Sequence, residues 1–125
     1  MDKPTVKRFH FDGNKFIRVF IWNTIEDLRT AVGCNDISGY WKAQDIRIDY
    51  SNVSRPIVLT NHAGDIHLYR DGYGSGVFAH ELQHFLQSWY CIPGPGLVDD
   101  EYWPTIAGNI TSEFWRWHYG QTNCK

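Results

Sequence analysis

Residues 80–84 read His-Glu-Leu-Gln-His. On a helix, positions four apart lie about 40° apart round the axis, at ~100° per residue, and so share a face. His80 and His84 could then offer two imidazole nitrogens to one cation. Zinc takes such ligands at about 2.0–2.1 Å. Glu81 sits one step round, beside an open coordination position. There it could take the proton from a water that the metal has acidified towards a pKa of ~7. A carboxylate base beside an electrophilic metal is the chemistry of amide hydrolysis. The expectation is a Zn2+ site with His80 and His84 as ligands and Glu81 as general base.

A five-residue pattern recurs by chance, so its surroundings matter. Phe78, Leu82, Phe85 and Trp89 share one helical face, and Val77, Ala79 and Leu86 widen it. That is the stripe of a helix with one side in a core. The competing reading is a surface helix with two solvated histidines. Residues 76–87 resemble the active-site helix of the zincin metallopeptidases. The resemblance implies a small zincin-like α+β domain that hydrolyses a peptide or protein substrate. It also implies that residues 66–70 are like the edge strand on which zincins hold a substrate peptide by β-addition. The last helix would be similar to the one that supplies a glutamate ligand in the gluzincin branch. The third histidine of metzincins has no counterpart, because Phe85-Leu86-Gln87-Ser88 follows His84 directly. The likeness spans about residues 57–119 and describes a minimal, gluzincin-like peptidase.

A catalytic zinc site usually has three protein ligands and a water. After Gly96 the candidates are Asp99, Asp100, Glu101, Glu113 and His118. Glu113 shares its helical side with Tyr102, Ile106, Ile110 and Trp117. An acid in an apolar stripe needs compensation, and a metal provides it. Glu101 sits at the helix start, on a side with Thr105, Gly108, Ser112 and Tyr119, where small residues also allow close approach. Glu113 is therefore preferred as the third metal ligand, with Glu101 as the alternative. Tyr102, His118, Tyr119, His62, His67 and Tyr69 could each donate to a developing oxyanion, but ordinary packing explains them as well.

The elements that must position this motif are legible in outline. Two apolar-rich segments, residues 6–11 and 15–22, flank Asp12-Gly13-Asn14, a hairpin signal. Asn23 or Thr24 can cap a helix that Gly33 stops. Residues 46–50 alternate like a strand. Residues 57–60 and 66–70 read as a second strand pair turning at Ala63-Gly64-Asp65. A glycine-rich connection then leads to a helix over residues 77–90, which Pro93-Gly94-Pro95-Gly96 stops. Asp99-Asp100-Glu101 opens a last helix that ends at Gly120, with Pro104 in its first turn. The expected order is β-β-α-β-β-α-α: a short antiparallel or mixed sheet packed on the motif helix and a C-terminal helix.

A chain of 125 residues fits one domain, 1–125, and can bury a core without disulfides. Apolar residues at 42% and aromatics at 16% argue against disorder. A net charge of −2 offers no basic field for nucleic acid. No stretch approaches the roughly 18 apolar residues of a membrane span, and Met1-Asp2-Lys3-Pro4 does not open a secretory signal. Cys34, Cys91 and Cys124 are odd in number and form no CxxC, which fits free thiols in the cytoplasm. A zinc-stabilised, non-catalytic interaction module is the rival function. Glu81 favours the enzyme, since a structural site needs no base and is usually closed by a fourth Cys or His.

Overall fold

The computed structural model describes residues 3–45, 47–49, 51, 57–74, 76–90 and 102–123. Strands β1 (Thr5–Asp12) and β2 (Lys15–Trp22) form the expected antiparallel hairpin. Gly13 takes the left-handed conformation in its turn, with φ 58°. Helix α1 (Ile25–Val32) begins where the Thr24 hydroxyl accepts from the Asp27 N–H. It ends at Gly33, whose φ of 81° lets its N–H reach the Arg29 carbonyl.

Four strands follow: β3 (Tyr40–Ala43), β4 (Ile48–Asp49), β5 (Ile57–Val58) and β6 (His62–Tyr69). Then come α2 (Val77–Tyr90) and α3 (Tyr102–Asn123). The main sheet has the order β1-β2-β6-β3. It is mixed, because β2 and β6 run parallel while the outer pairs are antiparallel. β4 and β5 form a separate two-stranded ladder. The chain is thus an α+β domain with a four-stranded mixed sheet and, among the described residues, three helices.

Alternation on the strands decides which face is covered. Phe9, Phe11, Ile17, Val19, Ile21, Ile66 and Leu68 join one buried cluster. Phe78, Leu82, Phe85 and Trp89 of α2 and Ile106, Ile110 and Phe114 of α3 complete it. Each such side chain contributes about 1.5–3 kcal/mol when fully buried. Phe78 and Phe114 stack with centroids 3.7 Å apart and lock the two helices together. Phe16, Arg18 and Phe20 alternate with the buried residues of β2, and each stays partly exposed.

Three sequence expectations need correction. Ala63-Gly64-Asp65 is not a turn, because β6 runs through it in a single strand. A Cβ on Gly64 would collide with the Trp41 ring and come within 2.6 Å of the Lys42 carbonyl oxygen. Glycine there marks a close approach between strands. The partner of residues 57–58 is instead β4. Nor is β6 an edge strand: it lies between β2 and β3, with Ile66 and His67 paired to Trp41 and Tyr40. The edge next to it is β3. The last helix also passes Gly120 and continues to Asn123. The proline-glycine stop and the acids at 99–101 lie outside the described residues. No described helix is long and apolar enough to cross a membrane.

Candidate metal centre

Helix α2 spans the expected residues 77–90 and turns its two sides to different tasks. Its core face is buried, whereas His80 and His84 are exposed. The His80 N–H donates to the Gly76 carbonyl at 2.8 Å, which starts the helical hydrogen bonds at the motif itself. One turn apart, the two Nε2 atoms lie 3.2 Å from each other. Their rings are nearly perpendicular, at 76°, with centroids 4.9 Å apart. Two nitrogens at tetrahedral positions on one zinc ion lie about 3.3–3.4 Å apart, given Zn–N distances near 2.0–2.1 Å. The separation matches two ligands of one ion, and it is equally that of a hydrogen bond between the two rings.

Glu81 lies between this open pair and the core. It is 6% exposed. Burial pushes its carboxyl up, and the adjacent His80 and His84 pull it back down. It packs against Gly39, where a Cβ would come within 3.2 Å of Glu81 Cγ and Oε1 and 3.0 Å of Val77 Cγ1. A Cβ there would require Glu81 or Val77 to give by a few tenths of an ångström. A cavity of about 640 Å³ opens here, lined by Gly39, Gly74, Gly76, Val77, His80 and Glu81 among others. The loop before β3 and the connection before α2 thus form its walls.

The third expected ligand is not brought to this pair. Glu113 is exposed. The buried stripe of α3 runs through Ile106, Ile110 and Phe114, so Glu113 stands at its flank and needs no compensation. Trp115 approaches Phe78 of α2 at 6.3 Å, and Glu113 is ~200° round the helix from Trp115. Glu101 lies outside the described residues. Among the described residues, no three His, Cys, Asp or Glu side chains gather into a group that could hold a metal. His80 and His84 fit half of a zinc site, and the described residues do not supply the rest.

The candidate oxyanion donors have other partners. His62 Nε2 lies 2.6 Å from Asp65 Oδ1, and Arg18 donates to both Asp65 oxygens at 2.8 and 2.9 Å. His67 Nδ1 accepts from the Trp22 indole N–H at 3.0 Å, and its ring stacks on Phe20. Burial pushes this imidazole down, which suits its acceptor role. His118 is joined to Tyr73, with Nδ1 2.7 Å from the hydroxyl oxygen. Tyr119 is 59% exposed. The Tyr102 side chain lies outside the described residues. Gly39 and Tyr73 were not singled out from sequence. A glycine after a serine signals only a turn, and Tyr73 is embedded in a glycine-rich connection.

Comparison with known protein families, with curated proteins and with solved structures gives no match to this chain.

Proposed function

We propose that the protein is a zinc-dependent peptidase, a minimal zincin of the gluzincin-like kind. The observation that carries this is a pair of imidazole nitrogens 3.2 Å apart beside a carboxylate that is 6% exposed at the wall of an open cavity. His80 and His84 would hold the ion. When bound, zinc supplies a Lewis acid that lowers the pKa of water towards ~7 and polarises a carbonyl. Glu81 would serve as the general base, placed to accept a proton beside the ion and return it to a leaving amine. The edge strand β3 begins one residue after Gly39, so a peptide added along it would pass Glu81. Cys34 is a free thiol, which is compatible with a cytoplasmic setting.

The test is cleavage of an unfolded protein substrate by the wild type and by Glu81→Gln, with zinc content measured in both. The amide keeps the shape but cannot accept the proton. We expect equal zinc and folding, and hydrolysis reduced by about 10²–10⁴-fold. Equal cleavage by the two proteins would assign the activity to a contaminant. Zinc uptake without cleavage by either would point to the non-catalytic module instead.

A further inference from the structure

The connection between β6 and α2 shapes a second cavity. Asp71 takes a left-handed conformation, with φ 71°, and a Cβ on Gly72 would collide with the Tyr69 ring. This tight turn buries Tyr73 to 7% exposure and leaves Asp71 exposed. A cavity of about 220 Å³ lies between Asp71, Tyr73, Gly74, Trp115 and His118. Its three rings meet at a corner. The His118 ring stands at 84° to Tyr73, with centroids 5.2 Å apart, and at 86° to Trp115, with centroids 5.3 Å apart. The bond from His118 Nδ1 to the Tyr73 hydroxyl, 2.7 Å long, fixes the first of these angles.

Charge and size decide what such a cavity takes. Asp71 makes no ion pair among the described residues. Arg70, the neighbouring cation, directs Nη2 to the Thr5 hydroxyl at 3.4 Å. A carboxylate at a mouth walled by aromatic rings attracts an organic cation and repels an anion, because ring faces carry negative potential. Cavities for whole ligands are about 300–1,000 Å³, so this one suits a single side chain. Gly74 lines both this cavity and the larger one with His80 and Glu81. The two cavities therefore adjoin at Gly74.

We propose that the cavity between Asp71, Tyr73, Trp115 and His118 binds a basic side chain of a peptide, with Asp71 as counter-ion and Trp115 and Tyr73 as ring walls. The site selects peptides that carry lysine or arginine. Its occupation requires no zinc and no hydrolysis, so it stands or falls apart from the peptidase proposal.

The experiment is an NMR titration of the intact protein with N-acetyl-lysine amide, with N-acetyl-norleucine amide as the uncharged analogue and with n-butylammonium as the free amine. We expect the lysine amide to shift the Trp115 indole signal and to bind more tightly than either comparison compound. Asp71→Asn should weaken it by about two- to fivefold, the scale of an exposed ion pair. Asparagine tolerates the left-handed backbone, so this variant keeps the turn. Trp115→Phe preserves a ring wall and should weaken binding less than Trp115→Leu. Equal binding of lysine and norleucine amides, no binding, or an affinity unchanged in Asp71→Asn would overturn the cation site. Butylammonium binding as tightly as the lysine amide would overturn its assignment to a peptide side chain.

Discussion

His80 and Glu81 are adjacent in the chain, yet one is exposed and the other is buried against Gly39. The 100° between neighbours on a helix turns His80 outward and Glu81 towards the core, although both line the same cavity. That much was legible from the spacing of two histidines and a glutamate. The placement of Glu113 was not, because the phase of α3 is hidden in its sequence. Trp115, Trp117 and Phe114 surround the helix with aromatics, and the stripe that packs is centred nearer Ile110 than Glu113. Glu113→Ala should therefore leave zinc affinity unchanged, as read by competition with a metal indicator dye. A clear loss of affinity in that variant would show that Glu113 reaches the histidines after all. The same titration on Glu101→Ala examines the alternative.

At the scale of elements, the local signals that carried were those with a short-range cause. The Gly13 turn, the Thr24 cap, the Gly33 stop and the stripe of α2 each follow from residues within one or two turns. Residues 62–69 failed because their glycine answers to Trp41 and Lys42, more than twenty residues away. Gly39 is a similar case, since its partner Glu81 belongs to another element. Its backbone is open to alanine, but the added methyl would press on Glu81 Cγ and Oε1 from 3.2 Å. Gly39→Ala should cost about 1–3 kcal/mol of stability, as overpacking does. It should retain zinc and lower kcat by roughly tenfold, because a shifted base is a misplaced reactant. Denaturant unfolding and steady-state kinetics on one preparation separate the two effects. An unchanged kcat would mean that the position of Glu81 is not set by this contact.

The whole molecule is a mixed sheet with α2 and α3 packed on one face and a charged, ring-rich set of side chains on the other. On that second face, Asp65 is the buried charge that ties β6 to β2 through Arg18. Burial pushes its carboxyl up, but the hydrogen bonds and charges of Arg18 and His62 outweigh this and hold it below the usual range. A depressed carboxyl stabilises the fold above its unfolded value of about 3.9, and the contribution fades as pH falls through the lower folded value. Asp65→Asn should cost about 1.5–3 kcal/mol near pH 7, the scale of a hydrogen bond to a charged group. The gap in Tm between wild type and variant should narrow on acidification towards pH 3. A gap that stayed constant across that range would remove the ion pair from the account of stability.

The central claim is that α2 carries a zinc site made by His80 and His84. Its most direct test is calorimetric titration of metal-free protein with zinc at pH 7, alongside His80→Ala and His84→Ala. One ion per chain should bind to the wild type, with most affinity lost in either variant. Binding should also fade in acid, because a protonated imidazole cannot ligate. No uptake by the wild type, or equal uptake by all three proteins, would contradict the claim.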